Sequence, residues 1–210
     1  MDGVDLYCER VGAEFWAEPI NALTNAVFIL AAWGAWHTSR RSSTLSPGIW
    51  LLLATAVAIG IGSFVFHTVA TSWARVLDVV PILIFQLLFL WLYERHVIAL
   101  TQPISGLLLA GFLVAAFLGR QFSAVLNGSL IYAPAFLAFL ALGLYHARTA
   151  AIGRFDLLAA AGVLSASLFF RTIDNTVCST FPIGTHFLWH LSNGAVVYLA
   201  IRSLVHRSLR

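Results

Sequence analysis

Apolar segments of membrane-spanning length follow one another along almost the whole sequence, with short polar connections between them. Hydrophobic residues make up 60% of the 210-residue chain and charged residues 10%, whereas soluble domains carry about 25% charged residues. A helix that spans a bilayer needs about 20 predominantly apolar residues, so the chain has room for several spans and none for a separate soluble domain. The sequence therefore predicts a single all-α integral membrane domain over residues 1–210.

Seven transmembrane helices are the simplest division of these segments. The predicted spans are Ile20–Trp36, Pro47–Val69, Val76–Tyr93, Pro103–Leu118, Leu130–Tyr145, Leu157–Phe170 and Thr185–Val205. Residues 1–19 precede the first span as an acidic segment, which lacks the basic start and the small-residue cleavage site of a signal peptide. We expect this segment to be extracytoplasmic.

The arginines set the predicted orientation, because cytoplasmic loops carry an excess of positive charge. The sequence has no lysine, and its arginines fall at span ends rather than in one run, which argues against a nucleic-acid partner. Arg10, Arg75, Arg120 and Arg171 lie on one side, and eight lie on the other: Arg40, Arg41, Arg95, Arg148, Arg154, Arg202, Arg207 and Arg210. The asymmetry predicts a cytoplasmic C-terminus and an N-terminus outside. We expect a bacterial inner membrane, with the outer side facing the periplasm.

Two histidines stand four residues apart at the start of the last predicted span. His186 and His190, in THFLWHLSN, share one helix face, in a region where ionisable residues are rare and usually functional. The predicted topology brings Ser63, His67 and Asp78 to the same depth near the outer side. Three histidines can hold zinc with one position open to water. The alternative is that each buried ring bonds to a neighbouring helix.

The two cysteines lie on the outer side, and the remaining histidines fall at the inner ends of spans. Cys8 and Cys178 lie on the outer side, where an oxidising compartment would allow a disulfide between them. Two unpaired thiols are the alternative. The other four histidines lie beside arginines at the inner ends, and we expect interfacial positions for them: His37, His96, His146 and His206.

Four stretches of the sequence resemble the alkaline ceramidases, within the wider group of seven-span hydrolases that includes the progestin and adiponectin receptors. They are CERVGAEFWAEPINALTNAVF, GIGSFVFHTVATSWARVLDVVPI, RTIDNTVC and THFLWHLSNG. Their S-x-x-x-H, D-x-x-P and H-x-x-x-H elements occur in the order that the family has. Together the stretches extend from Cys8 to Gly194.

The resemblance implies a role for each matched residue. The implied zinc ligands are His67, His186 and His190, with Ser63 and Asp78 beside the attacking water. The resemblance also implies the disulfide between Cys8 and Cys178 and a part for Trp189 in holding the lipid.

The calcium site of the family is matched less well. Alkaline ceramidases place acidic residues and an asparagine around a W-C-E motif, with a further glutamate at the start of the first span. The corresponding run here is DLYCER, with Tyr7 in place of the tryptophan and no match for the asparagine. Asp5, Glu9 and Glu18 could still supply oxygen ligands to calcium. The alternative is an acidic, solvated segment.

The polar residues of the outer layer predict hydrolysis of an acyl bond near the membrane surface. Zinc lowers the pKa of its bound water to about 7 and polarises a carbonyl. Asp78 would accept the proton of the water and pass it to the leaving amine, and Ser63 would donate a hydrogen bond to the oxyanion. Tyr132 is a candidate second donor, with aromatic packing as its alternative.

We therefore predict a zinc-dependent intramembrane amidase that acts on ceramide or a similar N-acyl lipid, with the membrane lipid as its partner. Two other functions remain open at this point. One is a seven-span lipid receptor or carrier with a structural zinc. The other is a hydrolase of ester lipids that uses the same residues.

Overall fold

A computed structural model describes residues 3–40 and 45–208, and this part of the chain is almost entirely helical. The α-helices are α1 (Pro19–Thr24), α2 (Ala26–Ser39), α3 (Pro47–Val69), α4 (Ser72–His96), α5 (Gln102–Gln121), α6 (Ala133–Thr149), α7 (Asp156–Val177) and α8 (His186–Ser208). A 3-10 helix precedes α6 at Val125–Tyr132. The prediction of an all-α fold is confirmed. Arg41 and Arg210, which the charge analysis includes, lie outside the described residues.

Five helical segments of the described chain are long and apolar enough to cross a bilayer. They are Pro47–Val69, Ser72–His96, Gln102–Gln121, Val125–Thr149 and Asp156–Val177. The first predicted span is divided at Asn25, and its longer part, α2, has 14 residues, fewer than the about 20 that a span needs. α8 has 23 residues and is not among these five segments. The protein is thus a multi-pass helical membrane protein, and seven spans stay a prediction.

Small residues allow the helices to pack closely where the polar residues lie. A Cβ atom on Gly62 of α3 would lie 2.0 Å from the carbonyl oxygen of Leu77 in α4. A Cβ atom on Gly194 of α8 would lie 2.5 Å from the side chain of Val27 in α2. Such contacts bring backbones together in membrane proteins. They hold α3 against α4, and α2 against α8, near the ends where the predicted site residues are found.

The N-terminal segment is folded onto the helical bundle. Cys8 and Cys178 form a disulfide with their Cα atoms 5.2 Å apart, so the implied pairing is present and the alternative of two free thiols is wrong. The backbone N–H of Val4 donates to the carbonyl oxygen of Ala70 at 2.8 Å, in the connection between α3 and α4. The segment is therefore fixed to α7 by a covalent bond and to the α3–α4 connection by a backbone contact.

One of the histidines expected at the interface is buried instead. His146 of α6 has no exposed surface, and its Nδ1 atom lies 2.6 Å from the hydroxyl of Tyr93 in α4. His37 and His96 are exposed as expected, and nothing is described of the side chain of His206. The expectation for His146 is wrong because a tyrosine from another helix supplies a polar partner inside the bundle.

Candidate metal centre

The structure brings the three predicted histidines together. His67 comes from the last turns of α3, and His186 and His190 from the first two turns of α8. Their ligand nitrogens lie within 4.8 Å of one another, and the three rings are buried. The ring centroids are 4.6 Å apart for the α8 pair, and 4.8 and 5.3 Å from His67 to His190 and His186. Among the described residues, this is the one group of histidine, cysteine and acidic side chains arranged to hold a metal.

The hydrogen bonds of the rings fit a metal at their centre. His67 uses Nδ1 to contact the Glu18 carboxylate at 2.6 Å, and His190 uses Nδ1 to contact the Thr24 hydroxyl at 2.9 Å. Nε2 of His67 and Nδ1 of His186 are buried without a hydrogen-bond partner. A buried polar atom without a partner costs about 1–3 kcal/mol. A metal that accepts nitrogen ligands, such as zinc, would remove this cost.

Asp174 of α7 fixes the start of α8. Its Oδ1 atom accepts the backbone N–H groups of Thr185 and His186 at 2.6 and 2.9 Å, which satisfies donors that are free at a helix N-terminus. The preceding Gly184 has a φ of +63°, and a Cβ atom there would lie 2.2 Å from Asp174 Oδ1. Asp174 thereby positions His186. The sequence prediction missed this residue, although it lies within the quoted stretch RTIDNTVC.

Tyr7 covers the histidine group from the N-terminal segment. Its ring stacks on His186 at 3.6 Å between centroids, with an angle of 17° between the planes. Burial raises the pKa of the Tyr7 hydroxyl far above its ordinary value, so the phenol remains protonated. The disulfide at the adjacent Cys8 fixes the position of this ring. The sequence prediction considered Tyr7 only as a substitution in the calcium motif.

Glu18 links the N-terminal segment to His67. Its carboxylate also accepts hydrogen bonds from Arg10 at 2.5 Å and from Asn21 Nδ2 at 3.1 Å. Burial raises the pKa of Glu18, but the hydrogen bonds with His67 and Arg10 and the positive charge of Arg10 outweigh burial and lower that pKa below its ordinary value. Glu18 is therefore an anion that orients the His67 ring. Such outer contacts are common around ligating histidines.

The structure does not bring Asp5, Glu9 and Glu18 together as ligands of one ion. Glu9 accepts the backbone N–H groups of Ile20 and Asn21, both at 2.7 Å, at the start of α1. Glu18 is held by the partners described above. Calcium binding at these three residues stays a prediction, and it would require Glu9 and Glu18 to exchange their present partners.

The predicted catalytic pair lies beside the histidines. The Asp78 carboxyl of α4 is adjacent to the hydroxyl of Ser63 in α3 and to His67. Ser63 is buried, whereas Asp78 is half-buried and lines a cavity of about 960 Å³ at this end of the bundle. The close approach at Gly62 and Leu77 places these two residues next to each other. A water molecule in the cavity can thus reach the carboxyl.

Tyr132 and Trp189 lie together at a second cavity. Their ring centroids are 4.9 Å apart, and both residues line an apolar cavity of about 60 Å³ between the helices. Tyr132 also lines the larger cavity that contains Asp78. The guanidinium of Arg171, which the sequence prediction gave no role, lies 5.4 Å from the ring of Tyr132 and 5.7 Å from that of Trp189.

The sequence is similar to a known protein family along most of its length. It matches the family model described as Ceramidase over residues 6–208. No curated protein matches it at a significant level. The matched range includes the N-terminal segment from Leu6, the three histidines and both cysteines.

Proposed function

We propose that this chain, which belongs to the ceramidase family, is a zinc-dependent intramembrane amidase that converts ceramide or a similar sphingolipid to a fatty acid and a sphingoid base. Membership of the family indicates an amide hydrolase with a lipid substrate. The group of three buried histidines with unpaired nitrogens supports the dependence on metal. The proposal includes seven spans, with the N-terminus and the histidines on the periplasmic side of a bacterial inner membrane.

The proposed reaction breaks the amide bond with water. A zinc ion held by His67, His186 and His190 would activate water and polarise the substrate carbonyl. Asp78 accepts a proton from the water molecule while the water oxygen attacks the carbonyl carbon. It then returns this proton to the amine nitrogen as the carbon–nitrogen bond breaks. The Ser63 hydroxyl donates a hydrogen bond to the carbonyl oxygen of the substrate, which becomes negatively charged during the attack.

The two cavities support a substrate with a polar head and an apolar tail. The larger cavity contains Asp78 and polar side chains, whereas the smaller one is lined mainly by apolar residues, including Trp189. Tyr132 belongs to both linings. An acyl chain near Trp189 would leave the amide close to Tyr132 and Asp78, with the headgroup in the larger cavity.

Metal analysis and fatty-acid release test the proposal together. Purified protein is expected to contain about one zinc per chain and to release fatty acid from a neutral ceramide. His186→Ala should lose both properties, whereas His37→Ala, at an exposed histidine of α2, should keep them. Wild-type protein that hydrolyses ceramide without bound metal would overturn the metal dependence.

Asp78→Asn separates hydrolysis from lipid binding alone. This variant keeps the three histidines, so we expect it to retain zinc and to lose fatty-acid release by at least about 100-fold. A receptor or carrier with a structural zinc would bind lipid equally well with either residue and release no fatty acid in either case. The rates of fatty-acid release from amide and ester substrates with the same acyl chain and headgroup distinguish an amidase from a hydrolase of ester lipids.

A further inference from the structure

All four arginines predicted on the outer side line the same cavity. Its volume is about 960 Å³, and its walls come from the N-terminal segment, α3, α4, α5, the segment 123–132 and α7. Asp78 lies in the same lining, so the cavity adjoins the proposed reaction centre. The arginines are Arg10, Arg75, Arg120 and Arg171.

One of these arginines is neutralised by an acidic residue. Arg10 forms a buried ion pair with Glu18. Within residues 3–40 and 45–208, no salt bridge is formed by Arg75, Arg120 or Arg171. Three guanidinium groups without an ion-pair partner therefore surround one space.

Arg171 is held in place by uncharged contacts. Its Nη1 atom donates to the carbonyl oxygen of Asn127 at 2.6 Å and to the hydroxyl of Ser129 at 3.0 Å. Arg75 and Arg120 are exposed, in the first turn of α4 and the last turn of α5. Arg171 is thus a fixed positive charge, and the other two can turn towards a ligand.

The carboxylates of the cavity do not balance this charge. Asp5 and Asp78 are the acidic residues of the lining. Two carboxylates thus face three guanidinium groups that lack an ion-pair partner, which leaves an excess of positive charge in the cavity. An excess of one sign of charge in a cleft concentrates ligands of the opposite sign, and the planar guanidinium matches phosphate and similar anions.

We propose that the preferred substrate is an N-acyl lipid whose headgroup carries an anionic group, such as a phosphate or a sulfonate, bound by Arg75, Arg120 and Arg171. The part of this inference that concerns turnover rests on the proposed hydrolase function. With the acyl chain beside Trp189 and the amide beside Asp78, the headgroup lies in the cavity that the arginines surround.

A binding experiment tests the site without turnover. Wild-type protein in uncharged detergent micelles is titrated with a neutral ceramide analogue that cannot be hydrolysed, with the same analogue carrying a 1-phosphate, and with inorganic phosphate. We expect the phosphate-bearing lipid to bind at least about tenfold more tightly than either of the others, since charge-assisted hydrogen bonds are strong. Equal affinity of the two lipids would overturn the proposal. Inorganic phosphate that binds as tightly as the anionic lipid would also overturn it, because the site would then recognise the anion alone and not the lipid.

Arginine substitutions test which side chains recognise the anion. Arg75→Gln/Arg120→Gln is expected to reduce the preference for the phosphate-bearing lipid by about tenfold, and added salt should weaken that preference in wild type. Arg148→Gln, at an exposed arginine of α6 outside the cavity, is the matched control and should leave the preference unchanged. A preference that survives the double substitution would refute the assignment. The single variants replace the double variant if its melting temperature shows that it is unfolded.

The same variants are then compared in turnover. In wild-type protein, kcat/KM for the phosphate-bearing ceramide should exceed kcat/KM for the neutral ceramide. The ratio of the two values should fall by about tenfold in Arg75→Gln/Arg120→Gln. If no lipid is hydrolysed by wild type, the proposed hydrolase function fails, and the titrations still decide whether the anion site exists. If both lipids are hydrolysed with equal kcat/KM, the hydrolase function stands and the anionic substrate is rejected.

Discussion

Glu18 has an effect on the metal centre without being one of the proposed ligands, because its carboxylate contacts Nδ1 of His67. Replacement by glutamine keeps the size of the side chain and removes its charge. Outer contacts of this kind contribute about 10–100-fold to metal affinity. We therefore expect Glu18→Gln to bind zinc about 10–100-fold more weakly than wild type, as measured by competition with a chelator of known affinity.

Glu14→Gln is the matched control for this prediction. Glu14 lies in the same acidic segment, but its side chain is exposed and has no contact with the histidines. The control should bind zinc like wild type. Equal zinc affinity of the Glu18 and Glu14 variants would mean that the negative charge of Glu18 does not contribute to metal binding.

Much of the candidate site could be predicted residue by residue. The i,i+4 spacing of His186 and His190 and the resemblance of the surrounding stretches indicated residues that the structure places together. The roles of Tyr7, Glu18 and Asp174 could not be predicted in this way. Their contacts join distant parts of the chain, and those of Asp174 are with backbone N–H groups, which no side-chain pattern reveals.

At the scale of helices, Gly62 determines how closely α3 approaches α4. A methyl group at this position would lie 2.0 Å from a backbone oxygen of α4, which cannot move as a side chain can. Gly62→Ala should therefore separate the helices and displace Ser63 from Asp78. We expect a loss of about 1–3 kcal/mol in stability, measured as a lower melting temperature, together with slower fatty-acid release.

Gly162→Ala provides the comparison within another helix. Gly162 is exposed in α7, and a Cβ atom there would have no neighbour within 4 Å. Because alanine favours the helix by about 1 kcal/mol over glycine, this variant should melt at or slightly above the wild-type temperature. If Gly62→Ala behaved in the same way, the close contact between α3 and α4 would not be needed for the site.

The apolar segments predicted the positions of most helices but not their interruptions. The first predicted span is divided at Asn25, whose side chain donates to the carbonyl oxygen of Asn21. Before α6, residues 126–128 have positive φ angles, and Arg171 of α7 donates to the carbonyl oxygen of Asn127 there. Hydropathy reports which segments are apolar, whereas these irregular backbones depend on polar contacts made by individual side chains.

Across the whole molecule, the N-terminal segment is part of the site rather than a solvated extension. It supplies Tyr7, which stacks on His186, and Arg10, whose Nη2 atom donates to the carbonyl oxygen of His67 at 2.8 Å. The charge pattern predicted the acidic character of this segment and could not reveal that Arg10 and Glu18 contact His67. Because the segment carries contacts to two of the three histidines, its attachment to the bundle should affect metal binding.

Removal of the disulfide tests whether the attachment of the N-terminal segment affects metal binding. The bond joins residues that are 170 positions apart in sequence. Cys8→Ser removes a constraint on a long loop, and removal of such a native disulfide typically costs about 2–5 kcal/mol. We expect a lower melting temperature and faster loss of zinc to a chelator, because Tyr7 is no longer fixed against His186.

Cys178→Ser should match Cys8→Ser, and a reductant should lower the melting temperature of wild type alone. A Cys8→Ser variant that melts like wild type but still loses zinc faster would assign the disulfide to the metal centre rather than to global stability. Wild-type behaviour in both measurements would contradict the connection.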